Sequence, residues 1–94
     1  MTRGASPSAY QKVMFDNFEI IANLHLHRFN AAANGIDRIL AAAGEGQHMH
    51  THVDLACAEI GKAMEATQAA WAGQSPRLAA QQAALRALHQ QLTH

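Results

Sequence analysis

The 94-residue sequence has few aromatic residues, no excess of either charge and a single cysteine. Aromatic residues make up 5% of a composition that is 49% hydrophobic, and roughly a fifth of the chain is alanine, so most apolar side chains are small. A chain of this length forms one small domain at most. With side chains of this kind, we do not expect a thick, self-contained core.

These shortages exclude several classes of protein. Lys plus Arg and Asp plus Glu number 7 each and are spread from Arg3 to Arg86 without a run, so the basic patch of a nucleic-acid-binding protein is missing. Cys57 has no second cysteine for an internal disulfide, and we expect a small buried residue there, not a nucleophile. We find no apolar run of about 18 residues that would cross a bilayer, and no signal-peptide core. A cytoplasmic protein is predicted.

Proline occurs only twice, and each time it follows a serine. Ser6-Pro7 is typical of a helix start. A serine side chain can accept a hydrogen bond from a free backbone N–H of the first turn, and the N–H that proline lacks would have no partner at the first helical position. Apolar residues spaced by three and four then predict one long amphipathic helix over 7–43. Asn34-Gly35 is its weakest point, but the apolar row continues in phase, so we expect the helix to continue with a bend at most. The row consists of Met14, Phe18, Ile21, Phe29, Ala32, Ile36 and Ile39.

A second helix is predicted over 51–72, after the break in the pattern at Gly44 to Gln47. Thr51 and Asp54 have the spacing of a capping box, and Gly73 is expected to stop the helix. One side of this helix carries Val53, Ile60, Met64 and Trp71.

Ser75-Pro76 repeats the opening signal and predicts a third helix over 76–93. The fold predicted is therefore all-α: a disordered segment over 1–6, then a single helical domain over 7–94, with one long helix followed by two shorter ones. The third helix carries Leu78, Leu85, Leu88 and Leu92 on one side.

The first predicted helix is too long to be covered by its own chain. The 36 steps from residue 7 to residue 43, at 1.5 Å each, extend about 54 Å, whereas a compact domain of this size has a radius of gyration of about 13 Å. We therefore expect a helical hairpin or bundle completed by a homo-oligomer, a partner helix or an apolar surface. The residues predicted for this contact are Met14, Phe18, Ile21, Phe29, Ile36, Ile39 and Trp71. The alternative is that those on the first helix simply form the core of a helical bundle.

The histidines form two clusters that resemble metal sites. On a helix, His25 and His27 point in opposite directions, so they cannot share one ion, and we expect His25 to be semi-buried and His27 to face solvent. His48, His50 and His52 are a better candidate, although a polar interhelical loop explains them as well. No metal site, cofactor site or catalytic residue is predicted, because the sequence also lacks phosphate-binding, nucleophile-elbow and di-iron motifs. We expect no enzyme.

The segment YQKVMFDNFEIIANLHLHRFNAAANGIDRILAAA resembles the phasins, small helical proteins that coat bacterial polyhydroxyalkanoate granules. The segment ACAEIGKAMEATQAAWAGQSPRLAAQQAAL is similar to the second helix of that family, its proline-containing break and its Gln/Ala/Leu-rich continuation. The resemblance extends from Tyr10 to Leu92, and seven histidines are a departure from the family. In the first segment, the residues that carry the resemblance are Asn17 with Glu19, Leu24 with Leu26, Asn30-Ala31 and Gly35.

The resemblance implies a non-enzymatic, oligomeric amphiphile that covers a polyester granule in the cytoplasm. The alternative is a helical interaction module, such as a secretion chaperone or adaptor, that presents the same apolar side to a partner helix. Trp71-Ala72-Gly73 is similar to the WxG turn of small type VII secretion substrates and belongs to that alternative. A metal-binding or pH-responsive helical bundle built on the histidines is a third class.

Overall fold

The computed structural model describes residues 9–43 and 50–92, and these residues form four helices. The described residues contain no strand, which confirms the all-α prediction. We number the helices in chain order: α1 is Ala9–His25, α2 is Phe29–Ala42, α3 is His50–Trp71 and α4 is Pro76–Leu92.

The helices α3 and α4 begin and end within one residue of the predicted ranges 51–72 and 76–93. The hydroxyl oxygen of Ser75 accepts a hydrogen bond from the backbone N–H of Leu78 at 3.2 Å, and Pro76 is the first helical residue. The Ser75-Pro76 signal therefore acts as expected at the start of α4. Of the apolar rows predicted on these helices, Val53, Ile60, Met64, Trp71, Leu78 and Leu85 are buried, and Leu88 and Leu92 are half-buried.

The prediction of one unbroken helix over 7–43 is wrong, because the chain turns at Leu26–Arg28. His27 donates its backbone N–H to the carbonyl of Leu24 at 3.1 Å, and Arg28 donates to that of Asn23 at 2.8 Å. These two bonds form a Schellman motif, which usually has glycine at its left-handed position. Here that position is His27, with φ of 59°.

A left-handed residue other than glycine costs about 1–2 kcal/mol, so the turn must be stabilised by contacts elsewhere. One of these contacts is between Gly35 and Ile20. A Cβ atom on Gly35 would lie 2.5 Å from Cγ1 of Ile20, so only glycine allows α2 to approach α1 this closely. The helix continues through Gly35, as expected, and the glycine serves packing between helices.

The side of α1 that faces the rest of the chain differs from the predicted row. Val13, Ile20 and Leu24 are buried on this inner row, together with Asn17, which is 2% exposed. The Oδ1 atom of Asn17 has no hydrogen-bond partner among the described residues. A buried polar atom of this kind lowers stability, so the contact of α1 with its neighbours is weaker than an all-apolar one would be.

Polar contacts join α4 to α2. The Nε2 atom of Gln81, a residue only 6% exposed, donates to the carbonyl of Ala33 at 2.9 Å and to Oδ1 of Asp37 at 2.8 Å. Arg77 also bonds to Asp37, at 2.5 Å. The hydrogen bonds from Arg77 and Gln81 hold the pKa of Asp37 below its ordinary value. This group of residues fixes the position of α4 relative to α2.

The helices pack around one core, with α1 against α2 and α3, and with α4 against α3 and α2. The radius of gyration is 13.5 Å, as for a compact domain of this length. The fully buried large side chains come from all four helices: Ile20 and Leu24 of α1, Ile36 and Ile39 of α2, Val53, Ile60, Met64 and Trp71 of α3, and Leu78 of α4.

Candidate interaction surface on the first helix

The helix α1 carries apolar side chains on two opposite sides. Positions 15, 18, 22 and 26 are spaced by three and four residues, so they lie along one side, roughly half a turn from the inner row. Phe15, Phe18 and Leu26 on this side are 64%, 63% and 62% exposed. Leu26 follows the last helical residue, but its N–H still bonds the carbonyl of Ala22 at 3.0 Å, so it stays in the same line. We call these four residues the outer row.

The outer row differs from ordinary exposed apolar residues because its members adjoin one another. Single exposed phenylalanines or leucines are common on protein surfaces and need no explanation. Three large apolar side chains, each more than 60% exposed and in line on one helix, form a continuous apolar strip. Such strips are typical of surfaces that contact another protein, a lipid or a ligand.

The two flanks of the outer row differ in chemistry. On one flank, Arg38 of α2 bonds the half-buried Asp16 at 3.0 Å and the exposed Glu19 at 3.2 Å. Exposed pairs of this kind contribute little to stability, but they keep this flank charged and hydrated. On the other flank, Met14 and Ile21 are half-buried. The apolar surface therefore extends toward Met14 and Ile21 and stops at the charged flank.

The contact residues predicted from the sequence divide into two groups. Phe18 is exposed, and Met14, Ile21 and Phe29 are half-buried. Ile36, Ile39 and Trp71 are at most 1% exposed and lie in the chain's own core. For Ile36 and Ile39 the turn at Leu26–Arg28 is the reason, because it folds α2 back and buries its apolar side.

Phe15 and Leu26 are also exposed on this side, and they are not among the contact residues predicted from the sequence. Their spacing with Phe18 and Ala22 is visible in the sequence. The row over 14–39 extends along a longer helix, however, and the prediction of contact residues was based on that row. Once the helix ends at His25, the shorter row is the one that faces solvent.

A cleft of about 260 Å³ between α3 and α4 is a second place where a ligand would fit. Its apolar lining includes Met64 and Leu85, and charged side chains surround it, with Arg86 and Glu65 3.6 Å apart. Cys57 also lines it and is 4% exposed. Burial, with a smaller effect of the Asp54 carboxylate, raises the pKa of this thiol to about 11. The thiol stays protonated at neutral pH, which agrees with the expectation of a small buried residue and not a nucleophile.

The histidines are placed differently from expectation. His25 is exposed in the last turn of α1, not semi-buried, because the chain turns immediately after it. His27 is exposed, as expected, and its ring stacks on that of Phe29 with centroids 5.3 Å apart. His48 and the side chain of His50 lie outside the described residues.

Among residues 9–43 and 50–92, no three His, Cys, Asp or Glu side chains are grouped so that they could hold a metal ion. His52 is half-buried in the first turns of α3. Asp54, expected as a capping-box partner of Thr51, is instead 2.5 Å from Nδ1 of His89 and connects α3 to α4.

None of the helices described is both long enough and apolar enough to cross a membrane. The chain matches no protein-family model, no curated protein and no solved structure. The resemblance to phasins therefore stays a prediction, and the outer row of α1 is the observation from which a function can be argued.

Proposed function

We propose that the protein is a non-enzymatic amphiphile that coats polyhydroxyalkanoate granules and contacts the polyester through the outer row of α1. The observation that supports this most directly is the line of Phe15, Phe18 and Leu26, each more than 60% exposed. Transfer of such a side chain from water to an apolar phase contributes about 1.5–3 kcal/mol. Because each of the three is about two thirds exposed, together they contribute roughly 3–6 kcal/mol of transfer free energy at most.

The proposed contact is one of a helix lying on a surface. An interfacial helix sinks its apolar side a few ångströms into the apolar phase while its polar side stays in water. The helix α1 meets this requirement, because Asp16, Glu19 and Arg38 keep one flank charged. The remaining chain stays folded behind α1, since the inner row holds it against α2 and α3.

The net charge argues for apolar contact as the driving force. Seven positive and seven negative residues give a formal charge of zero at neutral pH, so no long-range attraction to an anionic surface is expected. A neutral polyester surface needs no such attraction. We therefore expect adsorption to change little with salt concentration.

The test is adsorption of the purified chain to polyhydroxybutyrate granules, measured by sedimentation. A variant with Phe15→Ser and Phe18→Ser should bind at least about tenfold more weakly, because two apolar anchors are lost. Both side chains are exposed, so the circular dichroism spectrum and the unfolding transition should stay unchanged.

The matched control is Leu55→Ser, which replaces an apolar residue that is 47% exposed on α3. This variant should adsorb as the unmodified chain does. Equal adsorption of the double variant and the control would overturn the role of the outer row. Adsorption to phosphatidylcholine vesicles in preference to granules would contradict a polyester coat.

A further inference from the structure

The turn between α1 and α2 has no local signal that would stop a helix. Leu26, His27 and Arg28 include neither glycine nor proline, and His27 occupies the left-handed position of the Schellman motif. Arg28, at the N-cap of α2, makes no capping hydrogen bond with its side chain. The turn therefore depends on packing between the helices that it connects.

The same residues also fit a continuous helix. If the helical phase is carried through Leu26–Arg28, the apolar residues of α1 and α2 fall in one row, as in the prediction from the sequence. The residues so aligned are Met14, Phe18, Ile21, Phe29, Ile36 and Ile39. The sequence is thus compatible with two states of this segment: a closed turn and an open, straight helix.

The site that holds α1 is complementary to α1 itself. Ile20 fits against Gly35, which has no side chain to obstruct it, and Arg38 pairs with Asp16 and Glu19. Each of these contacts joins residues on opposite sides of the turn. An α1 helix from a second copy of the chain would make all of them equally well if the turn were straight.

We propose that the protein forms a domain-swapped dimer in which two copies exchange α1. In each copy, α1 and α2 become one continuous helix, and each α1 occupies the site on α2 and α3 of the other chain. Identical contacts hold α1 in both states, so the dimer needs no new interface to form. The proposal needs no granule and stands apart from the proposed function.

Two opposing effects set the balance between the states. Opening removes the left-handed conformation of His27 and restores regular helical hydrogen bonds around it. Association of two chains opposes opening, so the dimer fraction should rise with protein concentration. Substitutions at His27 change the cost of the left-handed conformation. Glycine and alanine both remove the stack of His27 on Phe29, so a comparison of the two isolates the backbone effect.

The first experiment compares His27→Gly with His27→Ala by size-exclusion chromatography with light scattering over a range of concentrations. Glycine accepts the left-handed conformation and disfavours a helix, whereas alanine does the opposite. The dimer of His27→Ala should be tighter than that of His27→Gly by roughly tenfold or more, since two turns open per dimer. His25→Ala is the control, as it alters an exposed histidine within α1, and should behave as the unmodified chain.

The second experiment identifies the exchanged helix. One chain carries Asp16→Cys and another carries Arg38→Cys, both with Cys57→Ala and His27→Ala, and the two are mixed at high concentration with a short bismaleimide. The swap predicts a cross-linked heterodimer, because residue 16 of one copy then lies beside residue 38 of the other. A single chain with both cysteines and His27→Gly should cross-link within the monomer, which verifies the reach of the reagent.

Each outcome of these two experiments either supports or overturns the exchange of α1. A concentration-dependent dimer that cross-links between positions 16 and 38 supports the exchange. A dimer that does not cross-link there uses another surface and overturns the proposal. Monomers throughout the concentration range for His27→Ala, folded or with reduced helicity, overturn it as well.

Discussion

The two turns described between consecutive helices are built in different ways. At Ala72–Ser75, the hydroxyl of Ser75 caps α4 and Pro76 begins it, so the residues at the turn specify where the helix starts. At Leu26–Arg28, neither a capping side chain nor glycine is present, and the left-handed residue is a histidine. The second turn is encoded locally, whereas the first is imposed by contacts between α1, α2 and α3.

We therefore expect the turns at Leu26–Arg28 and Ala72–Ser75 to respond differently to mutation. A locally encoded turn should persist when distant packing is weakened, although the protein as a whole becomes less stable. A turn imposed by packing should be lost together with that packing. Substitutions beside each turn can therefore test the distinction directly.

The largest effect is expected for Trp71→Ala, beside the second turn. The indole is 1% exposed and donates to the carbonyl of Met64 at 3.1 Å, so its removal leaves a large cavity and an unmade hydrogen bond. We expect the free energy of unfolding in urea to fall by about 3–5 kcal/mol, with the start of α4 retained at Pro76 in NMR chemical shifts. Leu55→Ala on the same helix is the control and should change stability by about 0.5 kcal/mol at most. A small loss for Trp71→Ala would mean that the core around the second turn is looser than described.

Replacing either of two helical glycines by alanine should change stability by an intermediate amount, and the two changes should have opposite signs. Gly35→Ala places a Cβ atom 2.5 Å from Ile20 Cγ1, whereas the same change at Gly61 meets no atom within 4 Å. We expect Gly35→Ala to lower the free energy of unfolding by about 1–3 kcal/mol. Gly61→Ala should raise it by about 0.5–1 kcal/mol, because alanine favours a helix. If both substitutions stabilise the protein, the close packing at the first turn is not what holds it.

The smallest effect is expected for the caps. Ser75→Ala removes the acceptor for the Leu78 amide and should lower the free energy of unfolding by about 1 kcal/mol. Arg28→Ala alters the equivalent position of the first turn, where no side-chain cap exists. This variant should change the free energy of unfolding by about 0.5 kcal/mol at most. Thermal denaturation of both variants measures the contrast. Equal losses would show that the two turns are encoded alike.

The same distinction explains how much of the fold could be predicted from the sequence. Helices α3 and α4 were predictable, because their apolar spacing and the Ser75-Pro76 signal are local properties. The turn at Leu26–Arg28 was not, because it arises from the approach of α2 to α1 at Gly35, which no short segment reveals.

The candidate surface was only partly predictable for the same reason. Phe18 of the predicted row is exposed, whereas Ile36 and Ile39 of the same row are buried, because the chain turns back at Leu26–Arg28. Phe15 and Leu26 gained their importance from the position at which α1 ends. Which apolar row faces water depends on tertiary packing, whereas spacing alone gives the rows themselves.

The buried amide of Asn17 affects how readily α1 opens locally from the rest of the domain. Its Oδ1 lies in the seam between α1 and the other helices without a partner among the described residues, and it regains hydration when the seam parts. Detachment of α1 therefore requires less free energy than it would with an apolar side chain at position 17. In a hydrogen–deuterium exchange series, the amides of α1 should therefore take up deuterium more slowly in an Asn17→Leu variant than in the unmodified chain.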